Sequence, residues 1–239
     1  MRGTPTLLLV HGSWHGAWCW EKLTPELDRR GIAWRTVELP CVGTDATKLG
    51  TVADDTATIE AAARGIPGDV VIVAHSYGGV PTSDARFGAN VKHLIYLGAF
   101  MPDAGKALVD YLPPGPLPPF VVGRPDGATE VNLPLATDTF YADCDAATAQ
   151  WATEHLRLHN GVCNVTPVSR ASWRDIASTY IVLTQDHASP PFMQREFASQ
   201  ATQVREMQTS HSPFLSRPAE LADLLAEIAG SAEGVRKAG

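Results

Sequence analysis

The sequence predicts an α/β protein: a six-stranded, mostly parallel sheet flanked by helices and interrupted by an inserted cap. Three observations predict it. Short apolar runs alternate with helical patterns, the order that builds a parallel sheet through right-handed crossovers. The run DVVIVA at residues 69–74 is continuously apolar, as a central parallel strand covered on both faces must be. The stretch 101–179 then breaks the alternation. It opens with YLPPGPLPPF, whose prolines suit neither a helix interior nor a central strand.

Each element follows in order. Thr6–Val10 (TLLLV) is a buried strand. Residues 17–30 form a helix closed by Gly31 as a C-terminal cap. Residues 32–39 are the next strand, ending at Pro40. Residues 52–64 are helical, with Ile59, Ala62 and Ala63 on one face. After the central strand a helix runs from Tyr77 toward Phe87, with Pro81 in its first turns, where helix donors lack partners anyway. Residues 93–97 are a strand. Within the insertion, Asp145 caps a helix over residues 146–159. The alternation resumes with a strand at 180–183, a helix at 191–199, a strand at 204–207 and a closing helix at 218–229. Residues 1–100 and 180–239 thus form the core, and 101–179 a cap (lid). An insertion this long is not a bare loop. We place it over the C-terminal strand ends, where open α/β sheets bind ligands.

Composition narrows the function classes. Of 239 residues, 44% are hydrophobic and 19% charged, which argues against a disordered chain. The net charge of −7 disfavours a nucleic-acid binder, which needs a basic face. The apolar run near the start is too short to span a membrane, and no cleavable signal precedes it. Cys19, Cys41, Cys144 and Cys163 lie far apart without C-x-x-C or zinc spacing. They read as reduced thiols in a cytoplasmic protein.

The sharpest local signal is Ala74-His75-Ser76-Tyr77-Gly78-Gly79, directly after a strand and opening a helix. A nucleophile elbow needs a strained turn at the serine, hence small residues two before and two after it; Ala74 and Gly78 meet that need. A serine hydroxyl requires a base within hydrogen-bond reach. His211 lies in the loop after the last strand and can reach the elbow. His155 and His159 read as solvated residues of the cap helix, and His187 follows an acid candidate. That acid is Asp186, at the end of YIVLTQ, where a buried carboxylate would orient the imidazole. Asp103 is its rival. An oxyanion hole needs two converging backbone N–H groups; Tyr77 and Ser13, in the loop His11-Gly12-Ser13-Trp14-His15-Gly16, are placed to supply them. His11 and His15 have no third ligand nearby, so no metal is expected. Gly12, Trp14 and His75 adjoin these groups and are expected to bind substrate.

The segments HGSWHGAWCW, AHSYGG, LTQDHASP and SHSPFLSRPAELADLL resemble the α/β-hydrolase branch that contains plant methylesterases, hydroxynitrile lyases and bacterial carboxylesterases. The resemblance implies the α/β-hydrolase fold, a Ser76–Asp186–His211 triad, and Ser13 and Tyr77 as oxyanion donors. The lyases of that branch carry a threonine after the first loop histidine and a lysine after the catalytic histidine. This sequence has Gly12 and Ser212 there. The expectation is therefore a carboxylesterase acting through an acyl-enzyme on small esters, methyl esters or lactones among them, with no cofactor, nucleic acid or membrane partner. A carbon–carbon lyase and a slowly hydrolysing ligand receptor are the alternatives. A homodimer remains open.

Overall fold

The computed structural model describes residues 4–232. Ten strands occur in chain order: β1 Thr6–Val10, β2 Trp34–Thr36, β3 Val42–Gly43, β4 Val70–His75, β5 Val91–Leu97, β6 Val121–Gly123, β7 Ala128–Val131, β8 Leu158–Asn160, β9 Ser178–Leu183 and β10 Gln203–Met207. The α-helices are α1 Thr24–Arg29, α2 Val52–Gly65, α3 Gly79–Asp84, α4 Leu133–Phe140, α5 Ala146–Glu154, α6 Val162–Val165, α7 Pro191–Ala198, α8 Pro213–Ser216 and α9 Pro218–Ala232.

Six strands form one sheet in the order β10-β9-β5-β4-β1-β2, and every neighbouring pair is parallel. The expected six-stranded parallel sheet is therefore present. Its side chains alternate between two apolar layers, as the two-residue period of a strand requires. Leu8, Val10, Ile72 and Tyr96 enter one layer, with Ile59 of α2. Leu7, Leu9, Val71, Val73 and Ile95 enter the other, with Leu221 and Leu225 of α9. Burial on both faces explains the continuous apolar reading of β4.

Some boundaries differ from expectation. Residues 17–30 are not one helix. A 3-10 turn at Ala17–Trp20 precedes α1, and Pro25, in the first turn of α1, marks the new start. The second strand shrinks from 32–39 to Trp34–Thr36. It is an edge strand whose ladder is limited to Leu7–Leu9 of β1. The helix after the elbow ends at Asp84 rather than Phe87, following a 3-10 turn at Ser76–Gly78. Asp145 does cap α5, accepting the Thr148 N–H at 2.8 Å. That helix stops at Glu154, however, and the chain turns into β8.

A second, four-stranded sheet has the order β3-β8-β7-β6; its pairings are antiparallel. Three of its strands come from the insertion. The fourth, β3, comes from residues expected in the core layer. Around it, the Asn160 N–H donates to the Cys41 carbonyl at 2.9 Å and the Arg157 N–H to the Trp14 carbonyl at 2.8 Å. No helix among the described residues is long and apolar enough to cross a membrane.

Candidate active site

The site begins where β4 ends. Ser76 has φ +52°, a left-handed conformation that costs a non-glycine residue energy and recurs at functional turns. Two neighbours must be glycine for that turn to close. A Cβ on Gly78 would stand 2.5 Å from the His11 carbonyl oxygen, and one on Gly79 would overlap the Phe100 carbonyl oxygen. The turn is also held by the Phe100 N–H, which donates to the Ser76 carbonyl at 3.1 Å.

The loops after β9 and β10 bring Asp186 and His211 together. His211 Nδ1 donates to Asp186 Oδ2 at 2.7 Å, with both groups buried. Since Nδ1 carries this proton, Nε2 of the neutral ring keeps its lone pair. Asp186 also accepts the N–H groups of Ala188 at 2.8 Å and Ser189 at 2.9 Å. Asp103 is elsewhere. It sits at the surface in an ion pair with Arg174, Nε to Oδ1 3.0 Å, which holds its carboxyl below the usual range.

Sequence reasoning missed Gln194. This fully buried side chain donates from Nε2 to Asp186 Oδ2 at 2.9 Å and to the Ser189 carbonyl at 2.6 Å, while its Oε1 accepts the Leu183 N–H at 2.8 Å. One signal was available: Gln194 shares a helix face with Phe197 and Ala198, at the three- and four-residue spacing of a buried stripe.

A cleft opens over these groups; Ser13, Ser76, Tyr77 and His211 line its polar side. Apolar residues close the rest, among them Leu108, Leu117, Phe120, Val121 and Phe140. Trp14, expected to bind substrate, does line the cleft. Its indole N–H donates to Thr129 Oγ1 at 3.1 Å, and its ring meets Phe120 edge-on with centroids 6.2 Å apart. Gly12 and His75 sit behind Ser76 instead. A Cβ on Gly12 would come within 2.8 Å of the Ser76 Cβ. His75 is buried and donates from Nε2 to the His211 carbonyl at 2.9 Å.

The loop that carries Ser13 rests on two histidines held in fixed tautomers. His11 Nδ1 donates to the Gly12 carbonyl, and its Nε2 accepts the Leu39 N–H at 3.0 Å. His15 Nδ1 donates to the Ser13 carbonyl, and its Nε2 accepts the Tyr141 hydroxyl at 2.9 Å. Burial pushes His15 down to about 3 and also lowers His11, so both imidazoles remain neutral scaffolding. His159 departs from its expected place. It lies on β8, fully buried, and not on an exposed helix face; burial pushes it to about 3.

The chain is similar to known proteins. The model of the alpha/beta hydrolase family matches residues 7–224. Methylesterase 7 of Arabidopsis thaliana is 29% identical over 93% of this chain and 95% of its own. A carbendazim hydrolyzing esterase of Nocardioides sp. is 35% identical over about half of each chain, 48% and 49%. Among solved structures, a pyrethroid hydrolase from Sphingobium faniae JZ-2 superposes with a TM-score of 0.81 at 21% identity, covering 97% of this chain and 99% of that one. The chain belongs to the alpha/beta hydrolase family. Within that family it stands with the methylesterase branch, as a carboxylesterase-type hydrolase.

Proposed function

We propose that this enzyme hydrolyses small apolar carboxylic esters, methyl esters and lactones among them, through an acyl-enzyme on Ser76. The observation that carries the proposal is the strained Ser76 turn beside a buried His211–Asp186 pair in one apolar cleft. Ser76 Oγ attacks the ester carbonyl as His211 Nε2 takes its proton. Negative charge develops on the carbonyl oxygen, where the backbone N–H groups of Ser13 and Tyr77 stabilise it. Asp186 stabilises the imidazolium without taking its proton. The intermediate collapses, the alkoxide leaves with the His211 proton, and the acyl group stays on Ser76. Water, deprotonated by His211, then releases the acid. The insertion 101–179 acts as the lid that supplies the apolar side of the cleft, and Trp14 packs against the substrate.

The cleft does not favour cyanohydrin cleavage. A side chain at position 12 would press on Ser76, so a threonine hydroxyl has no room there. Ser212 brings no positive charge for a departing cyanide, and an uncompensated anion in a dry pocket is costly.

The test is hydrolysis of a short-chain p-nitrophenyl ester by wild type and Ser76→Ala. Wild type should turn over. Ser76→Ala should stay folded and lose nearly all activity, and wild-type mandelonitrile cleavage should not exceed that of the variant. Ester hydrolysis by Ser76→Ala within tenfold of wild type overturns the assignment. An initial burst followed by no turnover would make the protein a slowly hydrolysing receptor instead.

A further inference from the structure

Behind the oxyanion loop, on the far side of Tyr77, three buried groups that sequence spacing gave no reason to connect come together. Cys41 precedes β3, His159 lies on β8, and Cys163 lies on α6. Among the described residues they form the one group of side chains suited to hold a metal, with the two sulfurs and a ring nitrogen within 4.8 Å of one another. His159 is fully buried, yet neither of its ring nitrogens has a hydrogen-bond partner among the described residues. An unmade hydrogen bond on a buried polar group is costly, and buried polar groups seldom go without. All four cysteines are free thiols.

We propose that Cys41, His159 and Cys163 form a three-ligand site for a thiophilic divalent cation, with Zn²⁺ the best fit. Two thiolates and one imidazole are a ligand set that zinc takes, at about 2.3 Å for sulfur and about 2.0–2.1 Å for nitrogen. Those lengths put tetrahedral ligand atoms roughly 3.5–3.8 Å apart, so atoms within 4.8 Å of one another have to close by at most about 1.3 Å. Binding displaces the thiol protons, and two thiolates balance the charge of the ion. Asp55 braces the site from outside: its Oδ1 accepts the Cys41 N–H at 2.9 Å and its Oδ2 the Tyr77 hydroxyl at 2.7 Å. The Tyr77 ring meets His159 at 4.6 Å between centroids.

Local opening of α6 provides the route in. It is one turn long, and Val162 and Val165 on either side of Cys163 are exposed. The ligands come from both chain segments that build the small sheet, so the cation would cross-link that sheet to residues ahead of the insertion. This proposal does not depend on the ester chemistry.

The experiment titrates the reduced full-length protein with Co²⁺, then with Zn²⁺ against a chromophoric chelator. The expected result is one equivalent bound, thiolate-to-cobalt charge-transfer bands with tetrahedral d–d bands, and a melting temperature raised by Zn²⁺. His159→Ala and Cys163→Ser, confirmed folded by circular dichroism, should each weaken Zn²⁺ binding by at least roughly tenfold. Cys144→Ser should leave binding intact. The wild-type cobalt spectrum needs no variant to fold. Absence of thiolate bands there overturns the proposal. So does undiminished binding in folded Cys163→Ser, or loss of binding in Cys144→Ser.

Discussion

The two sides of the cleft are built differently. Its polar side is backbone geometry. Ser76 is fixed by Gly78, Gly79 and the Phe100 amide; Asp186 accepts four hydrogen bonds; and His11 and His15 are locked behind the loop that carries Ser13. Its apolar side is side-chain surface drawn from several elements of the insertion, among them Val121 of β6, Phe140 of α4 and, in the proline-rich loop, Leu117, which is 53% exposed. On the proposed reading, chemistry sits where hydrogen bonds fix the groups, and selectivity on partly exposed apolar side chains. Substitutions should therefore divide into those that abolish the rate and those that change which ester fits.

The largest expected effect tests the rigid side. Asp186→Asn removes the acceptor that orients His211 and stabilises its cation, so kcat should fall by roughly 10⁴-fold. Asp103→Asn, which only breaks a surface ion pair, should leave kcat nearly unchanged. Reversed results would move the acid to the end of β5. Gln194→Leu comes next. A hydrogen bond to a charged group is worth about 1.5–3 kcal/mol, so loss of the Gln194 contact should cut kcat by roughly 10- to 100-fold. A KM change with kcat intact would show that Gln194 packs without positioning Asp186.

Acid should also find the rigid side first. His15 and His159 sit at about 3 in the folded chain, against roughly 6.5 when unfolded. Between those values the unfolded state binds more protons, so stability falls as pH falls. Asp55 opposes them. Burial raises it to about 6, against about 3.9 unfolded, so between those values the folded state holds the extra proton. Burial lowers His93 as well, to about 4, and three histidines against one carboxyl leave a net loss of roughly 3 kcal/mol per pH unit between roughly pH 5.5 and 4.5. His75, also lowered by burial, steepens it. Urea unfolding at those two pH values measures the slope; a flat or rising stability toward acid would break the argument.

The smallest effect belongs to the apolar side. Leu117→Ala removes part of a half-exposed contact, worth about 1 kcal/mol or less, so KM should rise a few-fold for bulky acyl groups and little for acetate. A loss of kcat there would mean that the loop helps position the reacting groups and that the two sides are not separable.

The same division explains what could be read from the sequence. The turn at Ser76 was legible because a strained turn demands small residues two before and two after it, and Ala74 and Gly78 stand at those offsets. β1, β4 and β9 were legible because strands buried on both faces are continuously apolar. The β3–β8 pairing was not, since Val42–Gly43 is too short to carry a period. His159 was misplaced for the same reason: three residues of β8 follow a helical stretch with no turn signal between them. Cys41 and Cys163 meet only through that unforeseen ladder. Gln194 was hidden because a lone polar residue on a buried face does not announce its partner.

The β3–β8 ladder has a consequence for recombination. Relatives of such an enzyme invite cap exchange, with the insertion treated as a cassette cut near residues 101 and 179. Such a cassette would leave β3 behind. Its β8 would then face a foreign strand at Val42–Gly43, and the Cys41 carbonyl that accepts the Asn160 amide would belong to the other parent. A transferable unit must carry residues 41–50 with it, because the side chain of Asn160 also donates to the Gly50 carbonyl at 2.8 Å. The transferable module is thus discontinuous in the chain, and crossovers between residue 50 and residue 101 separate parts that bond to one another.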